Sequence, residues 1–165
     1  MSEVEEELVS AIMAASRAVV AIASLSIEAS PVDVTLSQYR VLVLLVTRGP
    51  QRMSDLGQTM RLSPSSTTRL VERLERKSLV ERRPSSIRLR ETELHLTPAG
   101  TELVEVVMEA RRREIEFVVQ AVPPGRRKTM AQAFEDFALA AGEPIADPDG
   151  GGTVAGLEPG PVPGV

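Results

Sequence analysis

The chain has 165 residues, 42% of them hydrophobic, and no cysteine, which sets the expectation of one moderate core and excludes a disulfide framework, a thiolate metal site and a cysteine redox switch. Aromatic residues make up 2%, with no tryptophan, too few for the stacking platforms of single-strand or RNA readers. The net charge is −4, yet Arg61 to Arg90 holds nine basic against three acidic residues, a local balance of +6 that leaves −10 for the rest. Such focusing suits one phosphate-binding surface better than a generally sticky polycation.

In chain order, Ser2 and Glu5 form an S-x-x-E capping box, and Glu3, Glu5, Glu6 and Glu7 crowd the first turn, where the helix dipole favours negative charge. A first helix begins there. Leu8, Ile12, Ala15, Val19 and Ile22 repeat at spacings of four and three, a seam of the kind that packs lengthwise against another helix, and Pro31 ends the region. Leu8 to Ile27 is apolar enough to raise the question of a membrane span. Arg17 at its centre, four serines and the acidic flank all oppose insertion, and no basic segment precedes it as in a secretory signal, so a soluble cytoplasmic protein is expected. Thr35 and Gln38 then make a second capping box, with Val34 and Tyr39 placed as a hydrophobic staple, predicting a helix from about residue 36. Val41 to Val46 has strand propensity, but the cap and the length to Thr47 favour a buried helix closed by Gly49-Pro50.

Gln51 to Gly100 carries the most information. Ser54 is placed to cap a short helix bearing Leu56 and Met60, and Arg61-Leu62-Ser63 has the length of a turn joining two helices at a steep angle. Ser63 followed by Pro64 restarts a helix, because the serine oxygen accepts an orphan N–H and proline is tolerated at the first helical position. Thr67, Leu70, Val71 and Leu74 form its buried face, leaving Ser65, Ser66, Thr68, Arg69, Glu72 and Arg73 outside. A basic β-hairpin follows. Thr97-Pro98 starts another helix, whose stripe of Leu103, Val106, Val107, Ala110, Phe117, Val118 and Ala121 exceeds any core this chain can wrap around it. Pro123-Pro124-Gly125 breaks the chain, and Met130, Phe134, Phe137, Ala138 and Ala141 define a last helix. In the 23 residues from Glu143 to Val165, eleven are Gly or Pro, the composition of a disordered tail.

Short helix, turn, helix and basic hairpin in that order make a winged helix-turn-helix, in a mainly α fold with a small β-hairpin wing and dimerisation helices at both termini. The expected organisation is an N-terminal dimerisation helix at 1–30, the DNA-reading region at 31–97, C-terminal dimerisation helices at 98–142 and the tail at 143–165. A monomeric bundle of the terminal helices is the alternative to a homodimer, which would present two heads on duplex DNA. Candidate DNA contacts are Ser63, Ser65, Ser66, Thr68, Arg69 and Arg73 on the reading helix and Arg88 and Arg90 on the wing. Arg69 is suited to a bidentate guanine contact, Arg73 to phosphate, and the wing arginines to the minor groove or its phosphates. His95 is the sole histidine and Glu91 and Glu93 lack an adjacent acid, nucleophile or metal set, so no catalytic residue, metal or cofactor is expected. A winged-helix dimer that binds a protein partner instead of DNA is the alternative function.

Thr35-Leu36-Ser37-Gln38-Tyr39-Arg40-Val41-Leu42, Ser54-Asp55-Leu56, Leu62 to Val71, Leu79-Val80-Glu81-Arg82 and Leu96-Thr97-Pro98-Ala99-Gly100, in this order, give the chain its resemblance to the MarR-type transcriptional regulators, over about residues 5 to 142. The resemblance implies a homodimer built from terminal helices that binds a pseudo-palindromic operator as a repressor or an activator, a repressor being the expectation here, and release, as is frequent in the family, by a small phenolic or anionic ligand in a cleft between dimer interface and reading head. Ser16, Arg17, Tyr39 and Arg40 lie where that cleft would be walled. The chain departs from the family at three positions. Arg88 replaces the Asp of an Asp-x-Arg wing pair, Ser78 stands where Gly commonly ends the reading helix, and Thr67 replaces a larger apolar residue.

Overall fold

The computed structural model describes residues 2–85 and 91–142. Among them are six helices and three short strands: α1 (Glu3–Glu28), α2 (Leu36–Arg48), β1 (Gln51–Arg52), α3 (Met53–Met60), α4 (Pro64–Arg76), β2 (Val80–Pro84), β3 (Thr92–Leu96), α5 (Pro98–Ala121) and α6 (Pro124–Ala140). The chain comprises two units, one up to Phe117 and the other from Val118.

Local capping chemistry sets most helix starts. Both capping boxes form with both of their hydrogen bonds, Ser2 with Glu5 and Thr35 with Gln38. Ser63 accepts the Ser66 N–H ahead of Pro64, and Thr97 accepts the Gly100 N–H ahead of Pro98. Ser54 is the exception. The chain enters α3 straight from β1, whose pairing Gln51↔Leu94 and Arg52↔Glu93 starts the helix at Met53, so Ser54 is already inside it and its hydroxyl turns to the Asp55 carboxylate at 3.2 Å. Strand β1 is an addition to the expected hairpin, giving an antiparallel sheet of order β1-β3-β2.

The core of the first unit gathers Val41, Leu42 and Leu45 from α2, Leu56 from α3, Val71 and Leu74 from α4, Leu79, Leu94, and Leu103 and Val107 from the start of α5. Val41 to Val46 is helical, as its cap requires. Thr67 fits the core because its neighbour is small. A Cβ on Gly57 would sit 3.0 Å from the Thr67 hydroxyl, so α3 and α4 approach through a glycine, and that hydroxyl is satisfied by the Ser63 carbonyl. A larger apolar residue at 67 would have no room there.

Much apolar surface remains in water. On α1 only Ser26 is buried, while Val4, Leu8, Val9, Met13, Val19, Val20 and Leu25 are exposed. This helix is long and apolar enough to cross a membrane by length and composition, with a best mean hydropathy of 1.9. Beyond Val107, α5 exposes Ile115 and Phe117, and in the second unit Val118, Val119, Met130, Phe134, Phe137 and Leu139 are exposed. Arg127 in that unit closes the end of α5 by donating to the carbonyls of Val122 and Gln120.

Candidate nucleic-acid interface

Helix α4 sits with Thr67, Val71 and Leu74 in the core, which fixes its opposite face outward. The turn before it, Arg61 to Ser63, runs through a left-handed residue, Arg61, at φ 53. At the first turn Ser63 is the cap, donating also to the Ser66 hydroxyl at 3.0 Å and lying 3.1 Å from that of Ser65. Ser65, Ser66 and Arg69 are exposed together on this turn, with Arg73 exposed one turn on. Thr68 is half-buried and its hydroxyl donates to the Pro64 carbonyl, so it meets a base only as an acceptor. Ser63, as cap, is committed to the helix.

The fold sorts the basic run into engaged and bare side chains. Arg82 pairs with Glu75 at 3.2 Å, Arg83 with Glu81, Arg76 reaches the Glu72 carbonyl, and Lys77 is held by the Asp33 carbonyl and Gln38. The side chains of Arg61, Arg69 and Arg73 have no hydrogen bond or ion pair among the described residues. Arg88 and Arg90 lie outside the described residues, as does the tail from Glu143.

Arg52, overlooked in the sequence, anchors the base of the wing. Its guanidinium grips Asp55 in two bonds of 2.8 and 3.0 Å and reaches Glu91 at 3.4 Å, and the Asp55 hydrogen bond and charge, then Glu91, hold its pKa above the ordinary arginine value. Glu93 accepts from Ser85 at 2.7 Å and lies 3.7 Å from His95. The wing carboxylates therefore serve sheet and wing geometry. No sequence signal marked Arg52, because its partners are set by the β1–β3 pairing.

The four cleft candidates separate. Ser16, Arg17 and Arg40 are exposed, with the Ser16 hydroxyl turned back to the Met13 carbonyl, and no hydrogen bond joins any two of the four. Tyr39 is 2% exposed, its ring lying 5.1 Å below the guanidinium of Arg111 on α5, which also donates to the buried Ser26 hydroxyl. Burial pushes the Tyr39 phenol pKa up, against a smaller lowering by the Arg111 charge. The Tyr39 hydroxyl and Arg111 Nη2 are buried with no hydrogen-bond partner among the described residues. In sequence Arg111 is one of three successive arginines and nothing singles it out.

The MarR family profile matches residues 34–90, spanning α2 to the wing. The chain is 35% identical to RV1404 from Mycobacterium tuberculosis, whose crystal structure superposes with a TM-score of 0.80 over 89% of this chain and 100% of that one. The chain belongs to the MarR family. A MarR family protein from Bacillus stearothermophilus shares the fold, with a TM-score of 0.76 at 22% identity over 87% of this chain and 99% of that one. The uncharacterized HTH-type transcriptional regulator YkoM of Bacillus subtilis is 31% identical over 71 residues, 43% of this MarR-family chain and 46% of YkoM. The match thus spans about half the length of that relative.

Proposed function

We propose that this MarR-family chain is a cytoplasmic regulator of transcription that binds a pseudo-palindromic operator in double-stranded DNA as a homodimer and represses from it. One observation carries the reading. Helix α4, whose inner face is sealed into the core, turns Arg69 and Arg73 outward with no carboxylate among the described residues to neutralise either, while Arg82 and Arg83 in the same basic run are paired. Bare guanidiniums on an exposed helix face are free for a bidentate guanine contact and for phosphate.

The exposed apolar residues of α1, α5 and α6 support the homodimer, since uncovered apolar area of this extent is what a second copy would remove from water. A two-fold axis would place two heads about 34 Å apart, one turn of duplex. Release by a small phenolic or anionic effector fits the junction at Tyr39, because its hydroxyl and Arg111 Nη2 are buried donors lacking an acceptor among the described residues. Ser16, Arg17 and Arg40, all exposed, make no hydrogen bond to Tyr39 among the described residues. The test selects duplexes from a random pool with the full chain, then titrates the winner against a scrambled duplex at several salt concentrations. The expected preference is at least about a thousandfold, with affinity falling as salt rises. Equal affinity for the two duplexes would favour a winged helix that serves a protein partner.

A further inference from the structure

Lys77 belongs by sequence to the basic run, yet its ammonium is held at the start of α2. It donates to the main-chain carbonyl of Asp33 and to Oε1 of Gln38 at 3.3 Å. Gln38 is 2% exposed, and the same Oε1 accepts the Thr35 N–H at 3.0 Å to cap α2. Lys77 is itself the C-cap of α4, where a cation also meets the negative end of the helix dipole. One ammonium therefore joins the end of the reading helix to the start of α2.

We infer that Lys77 is a positioning residue, which sets the angle of α4 against α2 and acts on DNA only through the placement of Arg69 and its neighbours. The inference rests on the DNA-binding reading above. A lysine on phosphate contributes alike to every duplex and to the salt slope. A lysine that aims the helix contributes to the preference among duplexes and leaves the slope alone.

The test uses the full chain with K77M, which keeps the aliphatic stem and removes the donors, Q38M, which removes an acceptor and leaves the Lys77 charge, and the double variant. Each is titrated with the duplex that the wild type selects and with a scrambled one, at several salt concentrations, below its melting temperature. K77M is expected to lower the selected-to-scrambled ratio about tenfold, near the lower end for a hydrogen bond to a charged group, with the salt slope unchanged. The double variant should cost less than the sum of the two single ones, since both remove the Lys77–Gln38 bond. Hydrogen exchange on the DNA-free protein should show faster exchange of the Thr35 N–H and of the last turn of α4 in K77M. A salt slope reduced by about one unit makes Lys77 a phosphate contact and overturns the inference. So does an unchanged ratio with only a lower melting temperature, or unchanged exchange at both helix ends. Failure of the wild type to prefer any duplex instead overturns the DNA-binding reading, and the exchange measurement then decides the Lys77 link by itself.

Discussion

Replacing Ser78 by glycine should stabilise the fold, and the size of the gain follows from the end of α4. Ser78 has φ 57, a left-handed backbone that costs an L-residue about 1–2 kcal/mol. The N–H of Ser78 donates to the Glu75 carbonyl and that of Leu79 to the Leu74 carbonyl, with Leu74 and Leu79 both buried, the bonding of a helix end built for glycine. The tie from the Thr97 hydroxyl to this turn uses the Ser78 carbonyl, which glycine keeps. The exposed side chain makes no hydrogen bond among the described residues. Against the gain stands the extra freedom of glycine in the unfolded chain, about 0.5–1 kcal/mol, so the net is roughly 1 kcal/mol, or about 2–4 °C in melting temperature. Urea unfolding at fixed protein concentration should move its midpoint up with an unchanged slope. Ser78→Ala retains the Cβ and should gain nothing. A midpoint unchanged or lowered in Ser78→Gly, or raised equally by alanine, would refute the reasoning.

Gly100→Ala should destabilise by about 2–4 kcal/mol, because its Cβ would fall 2.2 Å from the Leu79 carbonyl oxygen, a backbone atom that cannot give way. Gly125→Ala, with open space around it, is the control and should leave the urea midpoint within about 0.5 kcal/mol. Arg69→Ala should cost about 1–3 kcal/mol on the selected duplex and flatten base preference, whereas Arg73→Ala should weaken all duplexes alike and lower the salt slope by about one. Equal weakening of both duplexes by Arg69→Ala would show that it, too, sits on phosphate. Tyr39 is the sole tyrosine and there is no tryptophan, so phenolate absorbance reads it alone, and its midpoint in the folded protein should lie above 10.0. Its raised pKa adds stability that is whole below about pH 10 and is lost as pH rises through the folded value, a loss Tyr39→Phe should abolish.

What could be read from sequence was what neighbouring residues decide among themselves. Ser2 with Glu5, Thr35 with Gln38, Ser63 with Pro64 and Thr97 with Pro98 mark helix starts because donor and acceptor lie within one turn, and each forms as expected. The left-handed end at Ser78 was legible only through the family resemblance, which places glycine there. Strand β1 was not, because two residues carry no period and Gln51 and Arg52 become a strand only by meeting Leu94 and Glu93. That same meeting displaced the cap expected at Ser54. Thr67, where the family carries a larger apolar residue, faces Gly57 on α3, a pairing that only the packed structure reveals.

The candidate interface divides along the same line. Composition and spacing concentrate nine basic residues between Arg61 and Arg90, but they do not say which of those charges are still available once the chain closes. The fold removes Lys77, Arg82 and Arg83 from the count by giving them Gln38 with Asp33, Glu75 and Glu81, and leaves Arg61, Arg69 and Arg73 bare among the described residues. A run that would be a diffuse electrostatic patch in an unfolded chain thus becomes two kinds of arginine and lysine, those that hold the head together and those that face outward. Specificity depends on the division, because a side chain already gripped by a carboxylate gives up that bond to reach a base, whereas a bare one on a helix locked by Val71 and Leu74 arrives without that cost.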